Sequence, residues 1–175
     1  MDMLTSSQLR DILSIAKERL RSGKGRLPIE GGGTWDTRVR EFFYDEMFEI
    51  LKEEFGVDNP DEYLYVEGRN RLRGEKRVKL FGSGLYPDAV IKFNDARVAI
   101  ELDAGPAGRP SGSRIKTALA KAGILGLTGC FQSIYVFFFI YHGEPSDYER
   151  MREKELEKKV LDFYEKNFST YLILI

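Results

Sequence analysis

Three carboxylates in the middle of the chain are spaced for shared chemistry. Asp88 follows Pro87 and opens the apolar run Ala89-Val90-Ile91, and Glu101 and Asp103 close the run Val98-Ala99-Ile100-Glu101-Leu102-Asp103. Side chains on a strand alternate between faces, so Glu101 and Asp103 share one face. Asn94-Asp95 between the two runs is a turn signal, and a hairpin brings the start of its first strand beside the end of its second. Asp88, Glu101 and Asp103 are therefore expected to converge. Like charges so close repel, and one carboxyl would have to take up a proton. A divalent cation relieves that repulsion, and an all-oxygen donor set suits Mg²⁺ or Mn²⁺. The plainer readings are that Asp88 ends a turn, that Glu101 pairs with Lys92 or Arg97 across the hairpin, and that Asp103 forms a turn before Ala104-Gly105.

Two further stretches could bind phosphate. The segment from Gly105 to Arg114 is rich in Gly and Pro and carries Arg109 and Arg114. Glycine lets a backbone approach a phosphate closely and arginine binds its oxygens, although the spacing is not that of a P-loop. Upstream, Arg69, Arg71, Arg73, Lys76, Arg77 and Lys79 form a dense basic cluster with Glu75 the only acid inside it. Arg69, Arg71 and Arg73 alternate, as do Arg77 and Lys79, and Gly74-Glu75 fits a hairpin tip. These five side chains would line one face of a β-ribbon able to enter or straddle a DNA groove, the alternative being a solvated edge hairpin. With 27 basic and 28 acidic residues, any affinity for nucleic acid has to be local. The single cysteine, Cys130, excludes an internal disulfide and a multi-cysteine zinc site and is expected as a small buried hydrophobe. His142, the one histidine, excludes a His-rich metal site and is read as structural.

The elements that must position these residues can be read from periodicity. Thr5-Ser6-Ser7 caps a helix with Leu9, Ile12, Leu13, Ala16 and Leu20 at helical spacing. A Gly- and Pro-rich linker, 22–33, follows, so residues 1–22 are expected as a helical arm and 34–175 as an α/β domain. A second helix runs from the Thr34 cap to about Phe55, with the stripe Trp35, Val39, Phe42, Phe43, Met47, Ile50 and Leu51. Strands are expected over 63–66, 76–81, 86–93 and 97–103, then a helix over 113–122 stopped by Gly123, and a strand over 134–141 buried on both faces. A charged helix over 145–167 has Met151, Leu156, Val160, Leu161 and Tyr164 as its apolar side, and 170–175 reads as a last strand. This order argues for a mixed β-sheet flanked by helices. With neither a signal peptide nor 18 consecutive apolar residues, a soluble, cytoplasmic protein with no membrane partner is expected.

Pro87-Asp88, twelve residues, then Glu101-x-Asp103 resembles the PD-(D/E)xK signature of the restriction-endonuclease-like nucleases. The order helix, hairpin, helix, strand from Thr34 to Tyr141 is similar to their common core. The resemblance implies a restriction-endonuclease-like fold and Mg²⁺- or Mn²⁺-dependent hydrolysis of phosphodiesters, with DNA as partner. Asp88, Glu101 and Asp103 would be the metal ligands and catalytic acids. Glu46, which lies along the stripe of the second helix, would be a further ligand. Where the family usually has lysine this chain has Asp103, and Lys116 on the following helix would stand in for it. Cutting both strands of a duplex favours a homodimer. Two other classes stay open: a catalytically degenerate relative that binds nucleic acid or a protein partner without cleaving, and a structural or assembly protein, to which the near-zero net charge is suited.

Overall fold

The alternating and apolar runs assemble into one five-stranded sheet. In the computed structural model, residues 4–27, 35–70, 78–106, 109–141, 146, 149–150 and 153–175 are described. The helices are α1 (Leu9–Gly23), α2 (Trp35–Glu53), α3 (Arg109–Leu127) and α4 (Glu155–Phe168). The strands are β1 (Leu64–Val66), β2 (Val78–Leu80), β3 (Ser83–Leu85), β4 (Ala89–Lys92), β5 (Arg97–Pro106), β6 (Ser133–Tyr141) and β7 (Thr170–Leu174). Sheet order is β1-β4-β5-β6-β7, with β2 and β3 forming a separate hairpin. The pairs β1–β4 and β4–β5 are antiparallel, whereas β5–β6 and β6–β7 are parallel, so the sheet is mixed.

Two apolar cores form, one on each face. Val98, Ile100, Phe137 and Phe139 meet Ile12, Ala16 and Leu20 of α1 and Val39, Phe43, Met47 and Ile50 of α2. Ala99, Val136, Phe138 and Ile140 meet Ala118, Leu119, Ala122 and Leu125 of α3, with Leu161 and Tyr164 of α4 packed on them. β6 is thus buried on both faces, as its unbroken apolar run anticipates. The period of two then puts Glu101, two residues beyond Ala99, on the α3 face.

α1, expected as an arm, buries Ile12, Ala16 and Leu20 completely in the first core. Its start is tied to the β4–β5 turn. Asp95 accepts hydrogen bonds from the Ser6 N–H (2.8 Å) and hydroxyl (2.6 Å), and Leu4 O accepts the Asn94 N–H (3.0 Å).

The helix expected to stop at Gly123 runs on to Leu127 and begins earlier, at Arg109. Gly123 is a packing residue. A Cβ there would lie 2.8 Å from Tyr164 Cε1, and one on Gly126 would lie 2.7 Å from the Phe168 carbonyl oxygen. The glycines let α4 approach α3 and do not end the helix. β5 is also longer than expected, pairing with β6 as far as Pro106–Tyr141.

The expected ribbon joining 69–73 to 77–79 is not formed at its described ends. Arg69 sits in the turn after β1, its guanidinium 4.9 Å from the centroid of the Tyr44 ring, and Val78–Leu80 pairs with Ser83–Leu85. Arg71, Arg73, Lys76 and Arg77 lie outside the described residues, as do His142 and Met151. Cys130 is exposed, in the turn after Gly129 (φ 66°), and not buried as expected. Leu156 and Val160 are exposed as well, whereas Leu161, Tyr164 and Phe168 of α4 are partly buried. Among the described residues no helix is long and apolar enough to cross a membrane.

Candidate active site

Asp88 is the last residue before β4. Ala89 pairs with Ile100, so the antiparallel register places Asp88 beside Glu101. Both carboxylates are buried, 5% and 2% exposed. Asp88 is held from three sides: Oδ2 accepts the Leu102 N–H at 2.9 Å, its carbonyl accepts the Glu67 N–H at 2.8 Å, and Oδ1 receives the Arg40 guanidinium at 2.9 Å. The same Arg40 nitrogen lies 3.0 Å from Glu67 Oε2.

Glu101 faces α3. Its Oε2 is 2.6 Å from Lys121 Nζ, which is also 3.9 Å from Asp88 Oδ1. Its Oε1 is buried with no hydrogen-bond partner. Burial, with the charge of Asp88 added, pushes the Glu101 carboxyl up to about 8 against the opposing pull of Lys121. Burial lowers the Lys121 ammonium, but Glu101 and Asp88 outweigh it and hold the group above the ordinary lysine range. The site is an acid pair whose mutual repulsion is offset in part by one lysine, on Glu101, and one arginine, on Asp88.

Asp103 is on the same face but does not join the pair. Residues two apart on a strand are separated by about 6.5 Å along it. Asp103 Oδ1 accepts Arg114 Nε (3.0 Å) and NH2 (2.8 Å) and its neighbour's N–H, Ala104, at 2.7 Å. Among the described residues no group of three or more His, Cys, Asp or Glu side chains could hold a metal ion, so the expected three-carboxylate cluster is a cluster of two. Arg114, read as a phosphate binder, is engaged with Asp103. Arg109 is the first residue of α3.

The lysine that reaches the carboxylates is Lys121 and not Lys116, which is exposed on α3. Five residues separate the two, about 7.5 Å of rise and about 140° of rotation, so they leave the helix on different faces. On α2 the residue at Asp88 is Arg40, whereas Glu46 is half-buried about 9 Å farther along the helix axis. Lys121, Arg40 and Glu67 were not singled out from sequence. Lys121 had a signal: it lies on the stripe Ala118, Ala122, Leu125, where a lysine is out of place unless partnered.

No family model, curated protein or solved structure matches the chain.

Proposed function

We propose that the protein is a Mg²⁺- or Mn²⁺-dependent phosphodiesterase acting on DNA, with a restriction-endonuclease-like core. The observation that carries this reading is the buried Asp88–Glu101 pair with Lys121 Nζ 2.6 Å from one acid and 3.9 Å from the other. The element order α2, β1, the β4–β5 hairpin, α3, β6 supports the fold part of the proposal.

A divalent cation fits the site on two counts. Glu101 Oε1 is a buried oxygen without a partner, and the neighbouring charge of Asp88 is repulsive to it. Two carboxylates suffice for Mg²⁺, which commonly keeps waters and takes substrate phosphate oxygens for its remaining positions. When bound, such an ion polarises a phosphoryl oxygen and lowers the pKa of its water. The chain's own part is positional. Leu102 N–H and Arg40 fix the Asp88 carboxylate, and Lys121 supplies a fixed positive charge where charge develops on the phosphoryl group. Asp103, engaged by Arg114, has no place in this set.

The test is cleavage of single- and double-stranded DNA in Mg²⁺ or Mn²⁺ and in EDTA. Metal-dependent cleavage that disappears in Asp88→Asn and Glu101→Gln is expected. Full activity in either variant removes the assignment.

The closure of Lys121 on Glu101 and of Arg40 on Asp88 favours a second reading, a nuclease-like fold that binds nucleic acid without cutting it. Metal-independent DNA binding with no cleavage under any of these conditions would select it.

A further inference from the structure

The β2–β3 hairpin turns on Phe81 and Gly82, with Leu80 paired to Ser83 across them. Both turn residues have positive φ, 49° and 80°. Two-residue hairpin turns of this kind call for Asn, Asp or Gly, which enter the left-handed region readily. A bulky residue there is a conformational outlier. Phe81 gains nothing from the fold in return, since it is 100% exposed. Backbone strain that the molecule's own contacts do not offset points to a use outside the molecule.

The surroundings indicate what that use is. Leu80 beside the tip and Tyr86 just past the base are also exposed, so the hairpin presents apolar and aromatic surface. The chain leading to it is basic: residues 69–79 carry six Lys or Arg against Glu75, and Lys79 is two residues from Phe81. At the base of the hairpin Leu85 packs on the α3-side core, the face that carries Glu101, and Asp88 follows Phe81 by seven residues. Cations for phosphates and an open ring for base faces are the two halves of a single-strand nucleic-acid contact.

We infer that Phe81 is a stacking residue, whose ring lies against a base of a nucleic-acid strand led to the Asp88–Glu101 pair. The inference rests on nucleic acid being the substrate class proposed above. It is tested by titrating the full chain with a thymidine oligonucleotide in EDTA, where binding is read without cleavage. Phe81→Trp should show quenched indole emission on binding, with the wild-type chain, whose one tryptophan is Trp35, as the blank. Phe81→Ala should bind at least about 5-fold more weakly with an unchanged salt slope, because a stack is lost and no charge is. Phe81→Asn should bind as weakly while melting at or above the wild-type temperature, which separates stacking from a role in folding. If wild type binds and Phe81→Ala binds equally, the stacking role falls and the nucleic-acid reading stands. If wild type fails to bind even at low salt, both fall. A blue shift of the Phe81→Trp emission on anionic vesicles, with no quenching by the oligonucleotide, would assign the tip to a lipid surface and overturn the inference.

Discussion

The Glu101 carboxyl meets Lys121 through Oε2 and has no hydrogen-bond partner at Oε1, and these two facts set what substitution should do. Lys121→Met should leave a folded protein whose cleavage rate is lower by about 10²-fold or more, the usual effect of losing one transition-state charge contact. Lys116→Met, exposed on another face of α3, should leave the rate unchanged; steady-state cleavage by the two variants decides between them. The Glu101 carboxyl also predicts a pH dependence. Its value in the fold, about 8, lies above the ordinary 4.5, so its contribution to stability is fully present below about pH 4.5 and is lost as pH rises through about 8. In metal-free buffer, urea midpoints should therefore fall between pH 5 and pH 9 for the wild type, and this component should vanish in Glu101→Gln. Asp88 and Glu101 were legible because a hairpin and a strand period of two suffice to join them. Asp103 was legible as sharing their face, but not as engaged elsewhere, because its partner Arg114 comes from the next helix.

Elements were readable where one local rule decides them. β4, β5 and β6 follow from period and turn chemistry. α3 did not, because the rule that glycine stops a helix competes with the rule that glycine permits close packing, and the choice depends on α4, far away in sequence. This yields a contrast between two similar substitutions. A Cβ on Gly126 meets the Phe168 backbone at 2.7 Å, whereas one on Gly123 meets the edge of the Tyr164 ring at 2.8 Å. The ring can turn and the backbone cannot. Gly126→Ala should destabilise by about 1–3 kcal/mol through overpacking, and Gly123→Ala should be near neutral, since the gain in helix propensity of up to about 1 kcal/mol offsets a small shift. Urea unfolding of both variants reads the difference. The β2–β3 hairpin was missed because Phe81-Gly82 is not a recognised turn pair, whereas Gly74-Glu75 resembles a tip. Lys121 was missed with the helix end, since a helix stopped at Gly123 leaves out Leu125, the large apolar residue that marks its face as buried.

At the scale of the whole molecule, α1 is continuous with the first core although a glycine-rich linker separates it in sequence. Composition reveals the linker but not what lies at its far side. Burying Ile12 and Leu20 contributes roughly 1.5–3 kcal/mol each, a large share of a typical net stability of about 5–15 kcal/mol. A chain lacking residues 1–27 should therefore show no cooperative unfolding transition by circular dichroism; a transition at the wild-type midpoint would restore the arm. The near-zero net charge means that the molecule presents no overall attraction for DNA, so the proposed function has to rest on local features, first of all the pair Asp88 and Glu101. That is tested most directly by calorimetric titration of the metal-free protein with Mn²⁺. The account predicts saturable binding to the wild type that is lost in both Asp88→Asn and Glu101→Gln and kept in Asp103→Asn. No saturable binding, or binding unaffected by either of the first two substitutions, would contradict it.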